Sequence, residues 1–231
     1  MPLDLYKELS QKAAEAIAEQ IREKPNSCLG LPTGNSPLGC YELLGQWTEA
    51  GKLDWNKVKC FALDDYINAP DRMSFQTYLE RRLYKPICLP EENRFNPRFV
   101  DDYDELIEKA GGLDLTLLGL GVNGHIAFNE PYTPFLSWTH CIFLTESTRN
   151  ANEAYYEENT EVPKLAMTMG ISTILRSKKI ILLVSGKHKE QVLTRALSGT
   201  ADPEIPASYL SLHPNVHVLT DFPFALPAKT H

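Results

Sequence analysis

The chain has 231 residues, of which 43% are hydrophobic, and a net charge of −7. That is enough apolar material for one sizeable core, and the acidic balance argues against nucleic acid or an anionic membrane surface as a partner. No apolar run approaches the roughly 18 residues of a membrane helix. The N-terminus reads as an amphipathic helix and not a leader, and no linker, repeat or low-complexity tract interrupts the chain. Residues 1–231 are therefore expected to form one cytoplasmic domain. The cysteines Cys28, Cys40, Cys60, Cys88 and Cys141 are odd in number and make no CxxC, which fits reduced, mostly buried thiols.

Leu5, Leu9, Ala13, Ile17 and Ile21 recur every four residues up to Pro25. This spacing predicts a helix with one buried face. Ser27 to Leu31 is a short apolar strand. It runs into Pro32-Thr33-Gly34-Asn35-Ser36-Pro37 and then a helical pattern from Leu38 to Gly51. Ser36 suits the N-cap and Pro37 the first helical turn. A strand, a glycine turn and a helix N-terminus make a ready anion site, although the GK[ST] ending of a P-loop is absent. An ordinary capped turn is the plainer reading.

Val58 to Leu63 is a second strand, ending in Asp64-Asp65-Tyr66. Paired carboxylates at a strand end commonly cap loops. Partial burial beside a like charge would instead raise one of them toward useful basicity. Ser74 to Pro86 reads as an amphipathic helix with Arg81, Arg82 and Lys85 on a solvated face. Residues 86–100 read as loop, and Asp102 to Ala110 as a short acidic helix.

Leu113 to Leu120 is a buried, Leu-rich strand. It feeds Gly119-Leu-Gly-Val-Asn-Gly-His-Ile-Ala-Phe-Asn-Glu-Pro131. Gly121 and Gly124 permit positive φ and close approach, so one strand end presents Asn123, His125 and Glu130 together. Thr139 to Leu144 reads as a strand. Thr145 to Thr160 is polar, with little apolar periodicity, and reads as a weakly anchored surface segment. Val162 to Ile174 is expected to be helical with a break at Gly170. Lys179 to Val184 is a further strand, followed by Ser185-Gly186-Lys187-His188-Lys189 and a helix; Val216 to Leu219 is the last strand. Alternating strands and helices predict an α/β fold with a mostly parallel sheet and helices on both faces.

The Gly119–Pro131 stretch closely resembles the signature of glucosamine-6-phosphate deaminases, which reads much like GxGxNGHIxFNEP. The Leu-Pro-Thr-Gly wording at 31–34 resembles their phosphate turn, and Pro206-Ala207-Ser208-Tyr209-Leu210 is also similar to the family. The related 6-phosphogluconolactonases share the glycine turn and His but lack the Phe128-Asn129-Glu130-Pro131 continuation.

The resemblance implies a Rossmann-like core and conversion of glucosamine 6-phosphate to fructose 6-phosphate and ammonia. No metal or organic cofactor is implied. Carried over residue by residue, Asp64 is the proton-abstracting base, His125 the ring-opening group, and Asn123 and Glu130 its orienting partners. Thr33, Gly34, Asn35, Ser36 and Lys189 fall on the phosphate side. Asp65 is grouped with the substrate-binding residues, its expected part being to orient the site. A mobile lid is implied near 144–163. The family's lid arginine is missing, since Ala154 stands there; Arg149 is a candidate substitute.

Some members are hexamers activated by N-acetylglucosamine 6-phosphate, held by an arginine and a lysine after the Asn-Glu-Pro motif. His140 and Ile142 occupy those positions here, so a non-allosteric monomer or small homo-oligomer is expected. A 6-phosphogluconolactonase and a galactosamine-6-phosphate deaminase are the enzymatic alternatives. A sugar-phosphate-sensing domain is the non-enzymatic one, disfavoured because a sensor could dispense with Asp64.

Overall fold

A computed structural model describes residues 3–153 and 161–225. Its largest element is a six-stranded sheet built from β1 (Cys28–Leu31), β2 (Lys59–Ala62), β4 (Arg94–Phe95), β5 (Leu115–Gly119), β8 (Ile180–Val184) and β9 (Val216–Thr220). The order is β4-β2-β1-β5-β8-β9, and every pairing is parallel. The inner strands β1, β2, β5 and β8 are short apolar runs because both faces are covered. Leu29, Leu31, Leu115, Leu117, Ile181 and Leu183 pack under α1 (Leu3–Glu23) and α2 (Leu38–Glu49). Their alternates Cys28, Phe61, Leu118, Ile180, Leu182 and Val184 pack under α4 (Tyr103–Lys109), α6 (Ile171–Leu175) and α7 (Glu190–Ala196). The expected α/β, Rossmann-like architecture with helices on both faces is what the chain adopts.

From β1 the chain builds outward through β2 to β4; from β5 it builds the other way through β8 to β9. The strand order therefore reverses between β1 and β5, and ligands of open α/β sheets bind outside the carboxyl ends at that point. The turns after Leu31 and after Gly119 flank it.

A second, three-stranded antiparallel sheet runs β3-β7-β6, with β3 (Asp64–Tyr66), β7 (Leu165–Thr168) and β6 (His140–Phe143). Only Leu63 separates β2 from β3, so the chain changes sheets at Asp64. β7 corrects the helix expected from Val162. Ala166 and Thr168 point inward and alternate with the half-buried Leu165 and Met167, a period of two that the later apolar residues disguise as helical. The helix starts only at Ile171, so the break at Gly170 stands. A Cβ on Gly170 would lie 2.2 Å from the carbonyl oxygens of Ser137 and Trp138.

Three other expectations change. Ser36 does not cap α2: Pro37 stands at the cap with no side-chain bond. The Tyr6 hydroxyl of α1 replaces it, accepting from Gly39 N at 3.0 Å and donating to Asn35 O at 2.9 Å. The stretch from Ser74 is a short helix, α3 (Phe75–Leu79), continuing as one π turn over Glu80–Tyr84. The first half of the polar 145–160 stretch is α5 (Glu146–Glu153); 154–160, with Ala154, lie outside the described residues. Cys28, Cys40 and Cys60 are buried, and Cys88 and Cys141 exposed. Among the described residues no helix is long and apolar enough to cross a membrane.

Candidate active site

A cavity of about 1430 Å³ opens at the carboxyl edge of the parallel sheet. Thr33, Gly34, Asn35 and Ser36 line it from the β1 end, Asp64 from the β2 end, His125 from the β5 end and Lys189 from the β8 end. Asp65, Asn123 and Glu130 are not in its wall; they stand behind it. A second groove of about 850 Å³ runs along α4 past Asp101, Asp102, Asp104 and Glu105, and holds none of the residues singled out by sequence.

Asp64 and Asp65 are neighbours with opposite surroundings, as successive residues of a strand must be. Asp65 is fully buried. Its Oδ1 accepts from the backbone N–H of Tyr66 and Phe75, both at 2.8 Å. Its Oδ2 accepts from Ser74 Oγ at 2.8 Å, Asn96 Nδ2 at 2.9 Å and Gln76 N at 3.2 Å. The carboxylate thus ties β3 to the N-terminus of α3, where negative charge is favoured, and presents nothing to the cavity. Asp64 is buried as well, yet among the described residues no donor reaches its carboxyl. Burial, and then the charge of Asp65, push its pKa up to about 8. A carboxyl held protonated in this way becomes a strong base once it ionises.

The loop after β5 is built around His125. A Cβ on Gly121 would lie 2.3 Å from the His125 ring, so only glycine lets the ring lie flat against the turn. Gly124, with φ +85°, takes the left-handed conformation the turn requires. Glu130 Oε2 accepts from Asn123 Nδ2 at 2.8 Å. That leaves Asn123 Oδ1 facing His125 Nδ1 at 2.7 Å. An amide oxygen can only accept, so Nδ1 carries the proton and Nε2 remains the basic nitrogen. Glu130 itself lies 4.0 Å from Nδ1 and acts on the ring through Asn123. Burial lowers the His125 pKa; the Glu130 charge pulls it up and Lys189 pushes it further down.

The other oxygen of Glu130 accepts from Thr145 N at 3.2 Å and Thr145 Oγ1 at 3.1 Å. Thr145 precedes α5, and Thr148 of α5 places its hydroxyl 3.5 Å from His125 Nδ1. Asn152 Nδ2 donates to Tyr66 OH at 2.8 Å. The start of the predicted lid is therefore fastened to the histidine's own support. Arg149 is half-buried in α5 and is not part of the described cavity wall.

Lys189 donates to Leu120 O at 2.6 Å, across the mouth of the β5 turn. Burial lowers its pKa and Asp221 opposes that. Asp221 escaped the sequence reading. It is buried at the end of β9 and accepts from Ser185 Oγ at 2.6 Å and Gly186 N at 2.8 Å, fixing the turn that carries Lys189. An acid following a strand was the available signal, the same one that marked Asp64. Asn129, fully buried, donates to Ile126 O at 2.9 Å and Met169 O at 2.8 Å. It clamps the β5 loop against the end of β7. Among the described residues no group of three potential metal ligands converges.

The chain resembles known proteins along most of its length. A family described as glucosamine-6-phosphate isomerases/6-phosphogluconolactonase matches residues 2–219. Glucosamine-6-phosphate deaminase of Thermoanaerobacter pseudethanolicus is 42% identical over 226 residues, 94% of this chain and 89% of that protein. The Shouchella clausii enzyme of the same name is 42% identical, covering 94% of this chain and 92% of its own. A solved monomeric glucosamine-6-phosphate deaminase superposes with a TM-score of 0.89 at 41% identity over 93% of each chain. The 6-phosphogluconolactonase of Trypanosoma brucei, at 19% identity and a TM-score of 0.68 over 93% of this chain and 92% of its own, shares the fold. The chain belongs to the glucosamine-6-phosphate isomerase/6-phosphogluconolactonase family.

Proposed function

We infer that this protein is an enzyme converting glucosamine 6-phosphate and water to fructose 6-phosphate and ammonia. The observation that carries the reading is the donor-starved Asp64 sharing one cavity with a His125 whose tautomer Asn123 sets. His125 Nε2 shuttles the proton between the carbon 1 hydroxyl and the ring oxygen, opening the sugar. Asp64 takes the proton from carbon 2, and an enolamine forms. A proton returned to carbon 1 leaves a ketimine at carbon 2, which water hydrolyses to the ketone and ammonia. Glu130 and Asn123 hold the imidazole for the first step. Lys189, the 33–36 turn and its backbone amides receive the phosphate. Asp65 supports Asp64 from behind. The whole chain works as one unit, with a lid near 144–163 that excludes water on closure.

The matching deaminases and the Phe128–Pro131 continuation favour amine release over lactone hydrolysis. His140 has one ring nitrogen, Nδ1, engaged with Trp138 O at 2.7 Å, and Ile142, packed beside the Tyr66–Phe128 cluster, has no polar side-chain group to hold an effector phosphate. We therefore also propose a cytoplasmic monomer or small oligomer with hyperbolic kinetics, unresponsive to N-acetylglucosamine 6-phosphate. A coupled assay for ammonia and fructose 6-phosphate tests the reading, run on glucosamine 6-phosphate, galactosamine 6-phosphate and 6-phosphogluconolactone. Equimolar ammonia and fructose 6-phosphate from the gluco substrate is the expected result. Lactone hydrolysis without ammonia release would overturn it.

A further inference from the structure

Three arginines line the cavity: Arg72, and the exposed Arg81 and Arg82 that the sequence reading placed on a solvated face. Arg81 and Arg82 lie in the π turn that extends α3, and such turns recur at functional sites. Their neighbour Glu80 does not neutralise them. It faces away, accepting from Arg94 NH1 and Gln76 Nε2, both at 2.8 Å. Among the described residues no carboxylate pairs with Arg81 or Arg82.

Their placement is fixed at both ends. Ser74 and the Asp65 carboxylate hold the start of α3. Further along, the Tyr78 hydroxyl donates to Gly34 O, in the centre of the 33–36 turn. Arg81 and Arg82 follow Tyr78 by three and four residues, so they share its face of the helix. The segment whose Tyr78 touches the anion turn therefore also carries both arginines into the wall of the same cavity.

Charge balance gives those groups a task. A sugar phosphate arrives as a dianion at a protein of net charge −7. Lys189 is one cation, already engaged with Leu120 O and with its pKa lowered by burial. We propose that Arg81 and Arg82 are specificity-determining residues that receive the substrate phosphate together with Lys189 and the 33–36 turn. Arginine suits the task because its planar fork meets a phosphate through two parallel hydrogen bonds and stays charged. The proposal rests on the sugar-phosphate reading above.

The test compares the parent with R81Q/R82Q and with K85Q, which removes an exposed charge of the same segment outside the cavity wall. Steady-state kinetics with glucosamine 6-phosphate are measured beside calorimetric titration with inorganic phosphate, which needs no turnover. R81Q/R82Q is expected to raise KM and the phosphate dissociation constant by about tenfold or more, as loss of charge-assisted contacts should. Its kcat and melting temperature should stay close to the parent's, and K85Q should change neither binding quantity. A phosphate dissociation constant within about twofold of the parent's in R81Q/R82Q, under half of the 1.4 kcal/mol that a tenfold change represents, would overturn the proposal. A parent that binds phosphate but releases no ammonia would count against the functional reading alone, and the titration would still decide the arginines.

Discussion

The corner where β2 passes into β3 and the loop after β5 deliver acid–base groups to the same cavity by opposite means. At the corner, Asp65 takes five hydrogen bonds, and Asp64 takes none among the described residues. The pKa of Asp64 rises because it is buried, and then because it stands beside the charge of Asp65, with no donor among the described residues to favour its ionised form. In the β5 loop every group is given a partner: Thr145 to Glu130, Glu130 to Asn123, Asn123 to His125. Electrostatics tunes the carboxyl and geometry orients the imidazole. A buried carboxylate with many donors is a structural strut, even when it adjoins the proposed base.

Substitution at Asp64 should break this contrast most deeply. Asp64→Asn is nearly isosteric and should lower solvent exchange at carbon 2 by about 10²–10⁴-fold, the range a positioned base contributes. Its effect on stability should run the other way. The folded-state pKa, about 8, lies above the ordinary 3.8. The native state therefore holds a proton that the unfolded state releases, and stability falls as pH rises between those values. Asp64→Asn removes that fall, so its denaturation midpoint above pH 8 should equal or exceed the parent's. The rate governed by Asp64 in the parent should rise as pH increases toward 8. Exchange at the parental rate in Asp64→Asn would remove it from the role.

Asp65→Ala should produce the converse result. It leaves five neutral donors without their acceptor, a loss of several kcal/mol at about 1–3 kcal/mol for each donor that stays buried and unsatisfied. Chemical denaturation reads it directly. A midpoint unchanged from the parent would mean that the corner is not the strut it resembles.

Asn123→Ala should have the smallest effect of the three. Gly121 and Thr148 still confine the ring, but nothing selects the tautomer. The loss should be only part of the about 10²–10⁴-fold that an acid–base group supplies, and it should appear in kcat with KM little changed. The His125 resonances would report altered protonation of Nδ1. An unchanged tautomer with parental kcat would show that Glu130 acts without its relay.

Much of this molecule was legible along the chain. Strands β1, β2, β5 and β8 announced themselves as short apolar runs, because a strand buried on both faces needs nothing but local sequence to be recognised. The Gly121–Glu130 group was legible for a similar reason: its members lie within ten residues and the turn that joins them is written in glycine.

Tertiary structure alone decided what depends on contacts remote in sequence. β7 carries a four-residue alternation too short to separate from the helix that follows, and it is a strand because Asp64–Tyr66 and His140–Phe143 flank it. The cap of α2 comes from Tyr6, some thirty positions away. Arg81 and Arg82 are exposed, as the sequence implied, and that they also line the cavity is seen only once Tyr78 is found bonded to Gly34. The division between Asp64 and Asp65 has the same origin. Two identical side chains in adjacent positions differ only in what the fold brings against them, and hydrogen-bond donors from Ser74, Phe75, Gln76 and Asn96 reach one side of the strand and not the other.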